Sequence, residues 1–485
     1  MKKNYFYHLI LTLSNILFPV LSFPYAARIL GPEGIGKVQI ASSFAQYFAL
    51  FAVLGIPIYG ISQIAKHRND KAELNRNFSE LLLISLVSSI VFSLVYLVVI
   101  YQVPFFSANL SLYLYAGLLI VLSFSSLDWF YSGLEAFRVL ALRSLFIKLL
   151  ALVLLYTTVK TSDDFEAYLL VMVLSFLGSN LLGLILLRGQ VKLQIKNLDV
   201  KKHLKPILFI ASTTIAASMY TILDTVILGF LTDETNVGFY TAASKLTRIT
   251  LPLVTSVSIV LLPRVAQELA TGNGEQTAIL LKEAFHSIVF LAVPIMVGLF
   301  LLTPEFIYVF SGNSFVQAIP TMEVLSLLPL LVGIGHFFAF QVLVPNGRNK
   351  DMFVSVVSGF VLFLLLNFIF VPYWQHTGTA WASVITELVV TGLYFYFIRK
   401  RFYYEYSWSL IFKSLISTVL FVPVIWLLRS LQLNPITVLI FAIPTCVIFY
   451  GIIQYFFFKD VVIIRVIQLL VRFQHSIKSI YQRKN

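Results

Sequence analysis

Cysteine and charge are what this chain has least of. One cysteine in 485 residues, Cys446, excludes a disulfide framework and a thiolate metal cluster. Charged residues make up only 12% against 59% hydrophobic, more apolar surface than one or two soluble cores can bury. The sequence has no glycine-rich ATP-binding loop, no short alternating strands of a barrel, and no long outer loop bearing the His, Asp or Arg that a membrane polymerase or glycosyltransferase would need.

What is present is a series of uncharged apolar runs. "LLLISLVSSIVFSLVYLVVIY" (Leu81 to Tyr101) and "FVSVVSGFVLFLLLNFIFV" (Phe353 to Val371) each reach the roughly 20 residues that cross a bilayer as helix. Unpaired backbone groups are too costly in hydrocarbon for such runs to be anything else. The expected fold is an all-α polytopic membrane protein of fourteen transmembrane helices, from Leu9 to Phe458. "MKK" followed by an apolar run and "SFPYAA" imitates an export signal, but Asn15, Pro19 and Pro24 interrupt it, so it is read as helix one.

Most cations fall on one side of this arrangement, in "KHRNDKAELNR", "RGQVKLQIKNLDVKKHLK", "RKRF" and the tail. By the positive-inside rule that side is cytoplasmic, as are both termini. The net charge of +13 is thus topology helped by anionic lipid, with no nucleic-acid partner implied.

An internal repeat organises the chain. "RILGPEGIGKVQIASSF" (from Arg28) aligns with "VILGFLTDETNVGFYTAASKL" (from Val226): Ile-Leu-Gly, a polar stretch, then Gly36 or Gly238 followed five and six positions later by Ala-Ser. The offset of about 200 residues places the copies in corresponding spans of two halves. The expected organisation is an amino-terminal six-helix lobe (1–188), a basic linker (189–205), a second six-helix lobe (206–401), two further helices (402–458) and an amphipathic interfacial tail (459–485). Both lobes start on the same side, so they are related by a pseudo-two-fold along the membrane normal around a central cavity, a framework for alternating access.

Ionisable residues within spans cost roughly 2.5–3.5 kcal/mol each and need a partner or a purpose. The candidates are Asp128, Asp224, Lys245, Arg248 and Glu387, with Arg28 at the outer end of helix one. Lys245 and Arg248 share one helix face, about 10–15 Å below the outer surface. Two adjacent cations repel unless an anion joins them, and phosphate suits the pair. Alternatively Asp224 or Asp128 neutralises them in a structural network. Asp224, Asp128 and Glu387 are coupling or structural carboxylates, and those two roles stay open. No metal site and no cofactor is expected.

Several segments in order carry a family resemblance: "PYAARILGPEGIGKVQIASSFAQYFALFAVLGIPIYGISQIAK", "LDWFYSGLEAFR", "LDTVILGFLTDETNVGFYTAASKL", "LLPRVAQEL" and "LVPNGRNK". Across most of Pro24 to Arg401 the chain resembles Wzx-type polysaccharide flippases, the lipid-linked oligosaccharide exporters of the multidrug/oligosaccharidyl-lipid/polysaccharide superfamily. The last two helices match only in hydropathy. The resemblance implies transport of an undecaprenyl-pyrophosphate-linked glycan across the bacterial cytoplasmic membrane. Polysaccharide polymerase and glycosyltransferases of the same pathway are the implied partners, besides the phospholipid bilayer. It also implies a cationic cavity, which Lys245, Arg248 and Arg28 suit, and brings forward Asp128, Trp129, Gly133, Glu135 and Arg138 of the helix-four motif. Arg264, Arg348 and Arg138 lie at the cytoplasmic mouth, to meet a pyrophosphate or anchor to lipid phosphate. Moving two negative charges outward gains about 4.6 kcal/mol at 100 mV, so the potential, with or without H+ or Na+, is the expected drive. A cation-coupled drug antiporter of the same superfamily shares the fold but calls for carboxylates where helix eight supplies cations.

Overall fold

The computed structural model of the chain describes residues 2–187, 189–402, 406–465 and 467–468, and every regular element among them is helical. Eleven helical stretches are long and apolar enough to cross a membrane, which makes this a multi-pass membrane protein. In chain order the helices are α1 (Lys2–Val53), α2 (Ile56–His67), α3 (Lys71–Gln102), α4 (Leu110–Val121), α5 (Asp128–Gly133), α6 (Phe137–Thr158), α7 (Phe165–Leu186) and α8 (Lys201–Leu231). There follow α9 (Glu234–Ala270), α10 (Gly274–Leu301), α11 (Thr303–Phe310), α12 (Ile319–Leu325), α13 (Leu328–Phe337), α14 (Asn349–Arg399), α15 (Ser409–Thr418), α16 (Phe421–Ser430) and α17 (Pro435–Phe456).

Two of the crossing stretches, Leu9–His67 and Asn349–Arg399, hold 59 and 51 residues. Straight, they would run to about 90 and 75 Å, more than twice a roughly 30 Å hydrocarbon layer. Each is broken inside. Gly31 takes φ 67°, which a residue without Cβ adopts freely, and Pro32 behind it supplies the preset φ of a helical first turn. Gln375 takes φ 48° just after Pro372 and reverses α14 at the cost of local strain.

The faces of α3 are arranged opposite to those of a soluble helix. Ser85, Ser89 and Ser93 are buried, while Val87, Val91, Leu94 and Val98 are exposed. Small hydroxylated residues let helices approach and bond across: Ser89 Oγ lies 2.7 Å from Ser123 Oγ, and Tyr96 donates to the Tyr113 carbonyl at 2.7 Å. The apolar face is left to lipid. At its start, Asp70 caps the helix by accepting from the amides of Ala72 and Glu73.

The chain packs as two compact units. The first runs to Thr241 and includes residues 310–315 and 363–379; the second comprises 242–309, 316–362 and the chain from Ala380 onward. In the first, Phe78, Trp129, Phe130, Tyr131 and Leu140 form a core with Ile56 and Ile64 of α2. A side chain at Gly60 would strike the Trp129 ring, and one at Gly133 would strike Ile64, so the "DWFYSG" helix lies directly on α2. Trp129 and Gly133 of the helix-four motif therefore serve packing.

In the second unit, Phe421, Ile425, Ala442 and Tyr450 pack α16 and α17 onto Phe290 of α10. Tyr450 donates to the Phe290 carbonyl at 2.9 Å. Arg429 closes the far end through a two-pronged pair with Glu305, at 2.6 and 2.7 Å, and a bond to the Leu301 carbonyl. Beyond α17, Asp460 bonds His286 while Arg465 grips Glu283 with two nitrogens, at 2.9 and 2.6 Å. From residue 469 onward, the tail expected to be an amphipathic helix, with Arg472 and His475, lies outside the described residues.

Candidate functional site

Three polar or close-packed features interrupt the apolar fold. The first is built from the repeated glycines. Past the break at Gly31, α1 meets the start of α9 with backbone against backbone: a Cβ on Gly36 would land on the Glu234 carbonyl, and one on Gly238 would land on the Pro32 carbonyl. Each glycine thus faces the residue one helical turn before the other, a reciprocal crossing that any side chain would pry open. Polar residues flank it. Glu33 and Lys37 pair at 2.6 Å, with the Lys37 ammonium 5.1 Å over the Phe165 ring. Asp233 accepts from the Asn236 amide at 2.8 Å, and Phe239 packs edge-on against Phe315 and His376.

The second feature gathers around Glu80, a fully buried carboxylate near the start of α3. It accepts from Arg76 Nε (3.1 Å), the Asp199 amide (2.7 Å), Lys202 Nζ (2.8 Å) and His203 Nε2 (2.8 Å). Tyr59 of α2 closes the set on His203 Nδ1 at 2.8 Å. Burial pushes the His203 imidazole below its ordinary pKa, against the opposing pull of the Glu80 carboxylate. Upstream, the Lys192 amide donates to Asn75 Oδ1 and the Gln194 amide to Ser79 Oγ, so the linker is stitched along α3. Near its end the start of α8 also touches α2 closely, for a Cβ on Gly55 would strike the Ile207 carbonyl at 2.6 Å.

The third lies within the span of α6. Arg143, buried to 3% exposure, bonds Asp128 and stacks on the Tyr131 ring at 4.7 Å. Five residues further on, Lys148 bonds Asn15 of α1.

The residues singled out from sequence are distributed over these units. Arg28, Asp128, Arg138 and Asp224 belong to the first. Arg28 is exposed and donates to the Pro24 carbonyl at 2.9 Å. Asp128 has Arg143 for its partner, a residue the sequence reading passed over, and Arg138 is exposed on the first turn of α6. Glu135 takes φ 58° at the elbow before α6 and pairs with Arg68 at 2.6 Å. Asp224 is buried and accepts from the Tyr240 hydroxyl at 2.9 Å and the Thr225 amide at 2.7 Å. Lys245, Arg248, Arg264, Arg348 and Glu387 belong to the second unit. On α9, Lys245 is half-buried and Arg248 and Arg264 are exposed. Arg348 shares Asp351 with Arg401, at 2.8 and 3.1 Å. Glu387 is buried facing α13, where the missing side chain of Gly335 leaves room for its carboxylate. Among the described residues no cluster of His, Cys, Asp and Glu could hold a metal.

The sequence profile of the family described as "Polysaccharide biosynthesis protein" matches residues 1–268. A protein of Escherichia coli (strain K12) named as an O-antigen transporter is 24% identical over 415 residues, covering 83% of this chain and 97% of that one. The fold is similar to that of a solved structure of the lipid II flippase MurJ in an inward closed conformation, with TM-score 0.72 at 15% identity, over 94% of this chain and 100% of the other. It is also similar to an inward-facing multidrug resistance transporter of the MATE family in the MOP superfamily, with TM-score 0.61 at 17% identity, over 81% and 94% of the two chains.

Proposed function

The chain belongs to the polysaccharide biosynthesis protein family, and from that membership we propose that it is a flippase for lipid-linked oligosaccharides. It is a transporter and not an enzyme. The observation that carries this reading is the family match across 1–268, joined to a relative named for O-antigen transport that aligns along 97% of its own length.

We infer further that the cargo is an undecaprenyl-pyrophosphate-linked repeat unit, moved from the inner to the outer leaflet of the bacterial cytoplasmic membrane by alternating access of two lobes. The termini and basic loops face the cytoplasm, and the glycine crossing closes the outer end. Counting the two broken stretches as two crossings each, and α8 as one more, brings the eleven crossing helices to fourteen. A pyrophosphate needs fixed cations in a wet cavity because it cannot enter hydrocarbon, whereas the polyprenyl tail stays in lipid. Lys245 and Arg248, with Arg28, supply that charge; Arg138, Arg264 and Arg348 lie at the entrance. The membrane potential drives the outward step, and the buried Asp224 and Glu387 add ion coupling where they titrate. Transport by reconstituted protein that ignores both the potential and the pH gradient would remove this drive.

Deleting the gene is expected to leave a lipid-linked glycan on the cytoplasmic face and to abolish the surface polymer. A complementing copy carrying Lys245→Glu and Arg248→Glu should reach the membrane in normal amount and fail to restore the polymer. Full restoration by that double variant would end the assignment of the pyrophosphate to α9.

A further inference from the structure

Arg143 and Lys148, two charges deeper in α6 than Arg138, have no part yet in transport. Arg143 has its Nη2 on Asp128, while its Nε and Nη1 are buried and have no hydrogen-bond partner among the described residues. It is fixed nonetheless, with Tyr131 beneath the guanidinium and the hydroxyl of that tyrosine donating to the Gly183 carbonyl at 2.6 Å. A Cβ on Gly183 would land on Arg143 Nη1, so the glycine makes the room the guanidinium fills. Arg143 thereby keeps the Asp128 carboxylate occupied, although that carboxylate is 62% exposed. Lys148 is left with an amide oxygen, that of Asn15, and no carboxylate in ion-pair reach among the described residues. Its neighbours Leu145, Phe146 and Leu149 are exposed apolar residues.

Lys148 stands eleven residues past the first residue of α6, about 16 Å along the helix axis. A cation at that depth, with no carboxylate in contact and only the through-space pull of Asp128, is costly unless a second anion visits it. Phosphates of resident lipid stay at the surface, outside the roughly 30 Å hydrocarbon layer. The anion that must pass this depth is the head of a lipid being turned over.

We propose that Lys148, held by Asn15 and flanked by the fixed Asp128–Arg143 pair, binds a phosphate oxygen of the lipid-linked cargo midway through its passage along the amino-terminal half. Lys148 adds a cation of the first unit to those assigned on α9, and the proposal rests on the flippase reading. Arg143 is a positioning residue that takes the direct contact with Asp128 and leaves Lys148 only its field.

The test uses the full chain in phosphatidylcholine nanodiscs, with farnesyl pyrophosphate as probe, farnesol as its uncharged counterpart and inorganic pyrophosphate as competitor. Lys148→Gln should weaken farnesyl pyrophosphate binding about tenfold, Lys148→Arg should keep it within about twofold, and farnesol binding should not move. Competition by inorganic pyrophosphate should be lost in Lys148→Gln. An unchanged thermal midpoint separates this from misfolding, with Lys148→Arg as the folded reference where the glutamine variant is unstable. Equal binding by Lys148→Gln, a parallel loss of farnesol, or abolition of probe binding on replacing the lipid by phosphatidylglycerol would each overturn the proposal. A wild-type chain that binds farnesyl pyrophosphate no better than farnesol would instead strike the flippase reading itself.

Discussion

Gly36→Ala and Gly238→Ala are each expected to abolish transport while leaving a folded protein in the membrane. The new methyl group has nowhere to go, because the obstacle on both sides is backbone and not the end of a flexible side chain. Overpacking of this kind costs about 1–3 kcal/mol. Applied to one state of a two-state transporter, that shifts its population roughly 5- to 150-fold. The state lost is the one in which α1 and α9 cross, so the end sealed by the crossing should stand open more often. Ser43, buried two turns beyond Gly36, reports this. A cysteine at Ser43 should react slowly with a membrane-impermeant thiol reagent in the parent and several-fold faster beside Gly36→Ala. Background labelling is low because the one native cysteine, Cys446, is buried. Unchanged labelling together with normal transport in both alanine variants would show that the crossing does not gate.

Glu80→Gln is the second large effect, and it acts on stability. Removing one partner from a fully buried ion pair typically costs about 3–5 kcal/mol. Arg76 and Lys202 keep 36% and 35% of their side-chain surface exposed, so the loss here is about 1–3 kcal/mol. Here Arg76, Lys202 and His203 lose one shared carboxylate, and the Asp199 amide loses its acceptor charge. The thermal midpoint in detergent should fall by several degrees, and a protease should begin to cut between Gln190 and Lys201. His203→Gln, which can still donate to Glu80, should fall less. A Glu80→Gln protein with the parent's midpoint and an uncut linker would show that the network contributes nothing to holding that segment.

These two features differ in how far they could be read from the sequence. The glycines were visible because the chain repeats them: Ile-Leu-Gly, a polar stretch and a second glycine recur about 200 residues apart. That they touch one another was not visible, since periodicity says which positions correspond and nothing about which meet. Glu80 was hidden for a different reason. It stands one residue before an apolar run and reads as a solvated flank, and its histidine partner is 123 positions away. Arg143 and Lys148, by contrast, lie inside a span and were open to the same argument that picked out Lys245 and Arg248. The apolar residues around them masked the pattern. Asp128, within a span by sequence and so in need of a partner, finds it in Arg143 of the next helix.

The stitched linker has a further consequence for how the chain is joined. Residues 192, 194 and 199 give backbone amides to side chains of α3, much as an added strand gives its amides to a sheet edge. The connection between the halves is therefore also a docking segment, and its covalent continuity at Gly189 matters less than its contacts. Two separate polypeptides, one ending at Gly189 and the other beginning at Gln190, carry complementary surfaces and should reassemble when made in the same cell. The single chain thus carries, just past Gly189, the adhesive surface by which the two pieces would find each other.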